Sequence, residues 1–228
     1  AAAGGIGTQA RPFNALSAAG TAQTANDTIY VASHASPYTA GLTLLNGVRL
    51  IGQGATGTLA AHSGVTPVTG SAFPALGGTA PTLTASNATA ITLGTNNSLS
   101  GFIVGDTGAT GGTDIAGTNF GTVTVAEVAL NGNGRALNLD TGAMAGTGFT
   151  GISVTASGSQ GIRLVAVTGT LALGSGAIAG TAADVPAFQI TGNLGTLTYS
   201  GSISKTTAGR LIDIDGAGSA STMTLSGN

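Results

Sequence analysis

Apolar residues in this chain fall in short alternating runs, and the runs recur. One series reads Ala90-Ile91-Thr92-Leu93, Asp114-Ile115-Ala116, Ala136-Leu137-Asn138-Leu139, Gly161-Ile162-Arg163-Leu164, Ala187-Phe188-Gln189-Ile190 and Leu211-Ile212-Asp213-Ile214. Its leading apolar residues are spaced 22–26 residues apart. A second series keeps that step through Ser98-Leu99-Ser100, Thr122-Val123-Thr124-Val125, Gly148-Phe149-Thr150, Thr170-Leu171-Ala172-Leu173, Thr196-Leu197-Thr198-Tyr199 and Thr222-Met223-Thr224-Leu225. A third follows near Ile103, Val128, Ile152, Ile178 and Ile203. Alternation is the mark of a strand with one face inward, so Ile162 and Leu164 are expected inside and Arg163 outside. Two or three strands per fixed period describe one coil of a solenoid, whose apolar face is buried only when coils stack. The expected fold is all-β, a right-handed parallel β-helix with coils of about 22–26 residues. A β-sandwich of short strands competes, but the same order of three segments in each period argues against it.

The ends break the pattern. Pro12-Phe13-Asn14-Ala15-Leu16-Ser17-Ala18-Ala19 predicts a short helix over 12–19, with Pro in its first turn and Phe13 and Leu16 on one face. It would close the open end of the core, making residues 1–26 an N-terminal cap. Residues 27–54 are read as the first coils, 55–80 as a loop insertion and 81–228 as regular coils. Ser226-Gly227-Asn228 ends in mid-coil, so the C-terminal end is expected to be uncapped, either continued in the natural protein or covered by another subunit.

Composition agrees with strands and narrows the chemistry. The 228 residues include 40 Gly and no Cys; 42% are hydrophobic and 6% charged. The apolar content is too high for disorder, and Gly and Asn suit the tight corners. The basic residues Arg11, Arg49, Arg135, Arg163, Lys205 and Arg210 are scattered, which is not a nucleic-acid footprint. No apolar run is long enough to span a bilayer, and residues 1–7 show no signal-peptide pattern. The scarcity of charge and absence of Cys are read as extracellular or bacterial cell-surface character.

Residues 12–54 carry a more specific signal. After the Pro12-led segment come Asp27-Thr28-Ile29-Tyr30-Val31, Gly41-Leu42-Thr43-Leu44 and Gly47-Val48-Arg49-Leu50-Ile51-Gly52-Gln53-Gly54. This resembles the entry segment of pectin-lyase-like right-handed β-helix proteins, and Asn96-Asn97-Ser98-Leu99-Ser100 onward is similar to their next rungs. The Gly/Thr-rich later coils resemble large bacterial surface and autotransporter-type β-helices more than polysaccharide lyases. The resemblance implies a fold and leaves function open, because that fold serves lyases, hydrolases, tailspikes and surface passengers.

Candidate chemistry is sparse. Asp213 and Asp215, two apart in a strand, would place carboxylates on one outward face about 7 Å apart, a spacing open to glycoside acid/base chemistry. If the repeats align, Arg163, Gln189 and Asp213 form one outward column, and Asp140, Val165, Thr191 and Asp215 another. The plainer reading is a solvated polar face with a Gln-bridged charge ladder. His34 and His62 with Asp27 make a thin case for a metal site, and the Gly-rich stretch 101–112 lacks the Lys of a phosphate loop. No cofactor is expected. Thr122/Thr124, Thr196/Thr198 and Thr222/Thr224, with Ser98/Ser100 above, could form a flat hydroxyl lattice, broken at Gly148 and Ala172.

These features point first to a structural or adhesive segment of a secreted or surface protein, forming or extending a fibre or matrix. Its expected partners are copies of itself, end to end or laterally, or host and matrix glycans, with no nucleic acid and no membrane insertion. A polysaccharide lyase or hydrolase acting through Asp213 and Asp215 is the alternative reading. An ice-binding Thr-x-Thr surface is a third.

Overall fold

The computed structural model describes residues 6–39, 41–192, 194–216, 218 and 221–227. Their strands wind into a parallel β-solenoid of three faces, and the chain visits the faces in fixed order. Face II stacks Thr28–Val31, Arg49–Gly52, Ser98–Ser100, 122–126, 143–148, 168–172, Thr196–Tyr199 and Thr222–Leu225, making eight levels. Face III follows in each coil, from Tyr38–Thr39 down to Ser202–Ile203. Face I closes the coil, from Leu42–Thr43 to Ile212–Asp215. Neighbouring levels are 21 residues apart between Thr28 and Arg49 and 26 apart between Thr196 and Thr222. The step from Arg49 to Ser98 is longer because the insertion lies there.

Face I stacks as the repeats predict. Ile91, Ile115, Leu137, Ile162, Phe188 and Ile212 lie in direct register, and Leu139, Leu164, Ile190 and Ile214 in a second row. Each is buried as far as Ile190, while Ile214 is 45% exposed. On face III the third series needs correction. Leu83, Val104, Leu130 and Ile152 form one inward row, and Val154, Ile178 and Ile203 another. Ile103 instead pairs with Ala129 and is half-buried, one residue out of phase with the core. With a side-chain period of two, a one-residue shift moves Ile103 to the outer surface.

The coils turn at left-handed corners. At the corner from face I to face II, five successive levels place one residue with positive φ at the same point: Asn119 (51°), Thr141 (55°), Ala166 (48°), Gly192 (75°) and Gly216 (68°). Gly and Asn were expected at corners. Thr141, Ala166 and Glu127 also adopt this conformation, at a cost the stacked neighbours must offset.

The N-terminal helix, α1, spans Leu16–Ala22 rather than 12–19. Ala15 is still extended, so Pro12 and Phe13 lie outside the helix; the Phe13 ring packs over Gly7. Seven residues are too few to hold a helix alone, and packing supplies the rest. Leu16 is buried in the main core, and Gly20 brings the helix close to Leu42 of the first face-I strand. Gln23 ties the junction: Nε2 donates to the Thr43 carbonyl at 2.7 Å, and Oε1 accepts from the Leu45 amide at 3.1 Å. The helix therefore covers the first coil.

Residues 55–80 contain structure of their own. Helix α2, Leu59–Ser63, starts at Thr58, whose Oγ1 accepts from the Ala61 amide, and stops at Gly64 in the left-handed region. Ile51, Ala55 and Leu59 form a second small core with Tyr30, Phe73 and Leu76 packed on it. The insertion thus lies over the outside of face II in its first coils.

Candidate functional site

The two outward faces with repeating side chains differ in chemistry. On face I, Asn138, Arg163, Gln189 and Asp213 stand in one register row, and Asp140, Val165, Thr191 and Asp215 in the next. Arg163 donates from Nη1 to Asn138 Oδ1 at 3.1 Å and lies 4.0 Å from Asp140. Arg135 donates to Ser159 Oγ at 3.0 Å and to Gln160 Oε1 at 2.9 Å, and Gln160 Nε2 donates to Gln189 Oε1 at 2.9 Å. Burial, with Arg163 close by, lowers the pKa of the Arg135 guanidinium. Gln189 therefore turns toward Gln160 and does not bridge Arg163 to Asp213. Asp213 is held by Arg210 three residues before it, and Asp215 is exposed.

On face II, Thr122, Thr124, Thr196, Thr198, Thr222 and Thr224 are all exposed. Thr170, Thr196 and Thr222 share one row, and Ala172, Thr198 and Thr224 the next. The upper pair is offset from the expected alignment. Thr124, not Thr122, stacks on Ser98, with Ala145 below it, while Thr122 lies over Ala143 and Thr168. Ser100 meets Ala126 and is buried beneath the insertion side, its hydroxyl without a partner among the described residues. The strand segments 122–126, 143–148, 168–172, Thr196–Tyr199 and Thr222–Leu225 contain no charged residue. Where faces II and III meet, Ala129, Leu130, Asn131, Thr150, Ser153 and Ser175 line an open groove of roughly 280 Å³.

The histidines lie in separate contacts. His34 Nδ1 is 3.1 Å from the Ser36 carbonyl, and its ring lies 5.8 Å from that of Tyr38. His62 Nε2 lies 2.8 Å from the Thr56 carbonyl, and Asp27 accepts from the Thr24 amide at 2.6 Å. Among the described residues, no three His, Asp or Glu side chains gather as metal ligands.

Two features escaped the sequence pattern. One is Glu127, which accepts from the Thr56 amide at 2.8 Å and from Thr56 Oγ1 at 2.6 Å, latching the insertion to a coil 71 residues away. The other is Asp114, 2% exposed and facing the core. Nothing in the spacing marks Glu127. For Asp114 the clue was a carboxylate in the first series at a position filled by Ala or Gly in neighbouring coils.

No family model, curated protein or solved structure matches the chain.

Proposed function

We propose that this β-solenoid belongs with the pectin-lyase-like right-handed β-helices and is a structural, adhesive segment of a secreted or cell-surface bacterial protein. Its contacts in that role follow from the lower five levels of face II, an uncharged surface of Thr, Ala and Gly residues on a rigid stacked core. Such a surface meets no electrostatic barrier to close packing, either with another copy or with a neutral glycan. That observation carries the reading. The resemblance over residues 12–54 supports the family, and the Gly/Thr-rich later coils support the surface-protein character.

The test is self-association of the purified chain, followed by light scattering and electron microscopy, with binding to neutral glycans measured in parallel. Concentration-dependent assembly or glycan retention, weakened by Thr196→Lys with Thr198→Glu, is the expected result. Monomers at every concentration with no glycan retention overturn it. The in-register rows Thr170-Thr196-Thr222 and Thr198-Thr224 favour one second reading, an ice-binding lattice with repeats of about 4.8 by 7 Å. Thermal hysteresis lost in Thr198→Tyr would support that reading; no hysteresis in the parent chain removes it.

A further inference from the structure

Asp114 lies at the corner where face III turns into face I. The register that pairs Thr113 with Thr89 and Arg135, and Ile115 with Ile91 and Leu137, sets it between Ala90 and Ala136. Both alanines are fully buried. Asp114 Oδ1 lies 2.8 Å from Thr107 Oγ1, and the same hydroxyl lies 3.0 Å from the Asn133 carbonyl. Thr107 is itself fully buried, and Gly134 makes room for it: a Cβ there would stand 2.1 Å from Oγ1.

A hydroxyl carries one hydrogen, and an ionised carboxylate and a carbonyl only accept. With Asp114 ionised, Thr107 can satisfy one of the two oxygens, and the other contact is oxygen against oxygen. With Asp114 protonated, both contacts become hydrogen bonds: the acid O–H donates to Thr107 Oγ1, and Thr107 donates to the Asn133 carbonyl. The surrounding charges favour the same state. Burial raises the carboxyl well above its ordinary range, the Thr107 hydrogen bond opposes this, and Asp106 adds to it. Asp106, on the corner beside it, accepts from the Gly108 amide and from Asn133 Nδ2. Arg135, on the level below, directs its guanidinium to Ser159 and Gln160. The strand on the level above, Thr89–Thr92, has no titratable side chain.

We propose that Asp114 is folded as a neutral carboxylic acid whose proton closes the chain from Asp114 through Thr107 to Asn133, and that loss of this proton is an alkaline switch that loosens the corner. Because the folded state holds the proton more tightly than the unfolded chain does, the stabilisation is complete in acid. It is lost as pH rises through the folded-state value. The segment released first is the corner 105–112, held to the next level by the Thr107 amide on the Asn133 carbonyl and by the Arg135 amide on the Gly112 carbonyl.

Two measurements on the intact chain test this. The carboxyl carbon of Asp114, one of seven aspartates, is followed by NMR against pH. Its resonance is expected at the protonated position at neutral pH; an ionised position there overturns the proposal. The denaturation midpoint is then compared between the parent and Asp114→Asn, whose amide can donate to Thr107 without titrating. The parent is expected to lose more stability than the variant on going from neutral to alkaline pH. Equal losses overturn the switch. If Asp114→Asn does not fold, the NMR titration and amide exchange at Thr107 decide: exchange rising no faster with pH than at Phe102, in the same coil, overturns it.

Discussion

Faces I and II are cut from the same coils, yet they present opposite surfaces. Inward, both carry apolar rows in register, such as Ile162-Phe188-Ile212 and Leu171-Leu197-Met223. Outward, face I carries Arg163, Gln189, Asp140 and Asp213, whose partners are supplied largely by neighbouring coils or loops. The lower five levels of face II carry Thr hydroxyls and Thr and Ala methyls with no charge. One alternating strand thus performs two jobs at once. Inward residues determine whether the coils stack. Outward residues determine what the rod can lie against, and they vary without disturbing the core.

The largest expected effect comes from crossing from one side of a single strand to the other. Phe188 is buried against Tyr199, with ring centres 6.4 Å apart, whereas Gln189 beside it faces outward. Phe188→Ala is expected to cost about 3–5 kcal/mol through lost burial and the cavity left behind. Gln189→Ala gives up only the partly exposed bond from Gln160 and is expected to cost about 0.5–1 kcal/mol. Chemical denaturation of both variants checks this; similar losses would mean the inward and outward assignments on face I are wrong.

This division also explains what the sequence made legible. The face-I register could be read residue by residue because its apolar positions flank one outward polar residue in coil after coil. Face II was harder. The segment 122–126 belongs to the continuous strand Thr122–Asn133, whose alternation fits either Thr122 or Thr124 under Ser98, and only the stacking chooses Thr124. Strict alternation would set Asp114 outward beside Ile115, but Thr113, Asp114 and Ile115 are all buried where the strand enters from the corner. The second core was hidden because Tyr30 and Ile51 sit on outward positions, and only the folded insertion explains why they are apolar. Contacts such as Thr56 with Glu127 depend on long-range stacking and leave no local trace.

A smaller effect tests why the two halves of face II differ. The insertion covers Tyr30 and Ile51, and Glu127 holds it through two bonds to Thr56. Glu127→Ala removes both acceptors at a partly exposed site, with an expected loss of about 1–2 kcal/mol. The loss should appear as local opening of residues 55–80 rather than unfolding of the solenoid. Limited proteolysis checks it: cleavage should speed up within the insertion and stay unchanged in the coils below. Uniform acceleration along the chain would show that the insertion is part of the main cooperative unit.

The smallest effect lies at the corner that joins the two faces, and its sign is the informative part. Ala166 and Gly192 occupy the same point on successive levels, both with positive φ. A side chain in that conformation costs about 1–2 kcal/mol, while glycine gives back about 0.5–1 kcal/mol through the freedom it loses on folding. Ala166→Gly should therefore stabilise the fold by about 0.5–1 kcal/mol, although it removes a methyl group. Gly192→Ala should cost a similar amount. The added Cβ would meet Ala166 at no less than 3.7 Å, so crowding contributes little and the backbone conformation determines the sign. Opposite shifts in denaturation midpoint are the expected pair. If both variants lose stability, packing between corner residues outweighs backbone strain, and the corner links the two faces through contact rather than through conformation alone.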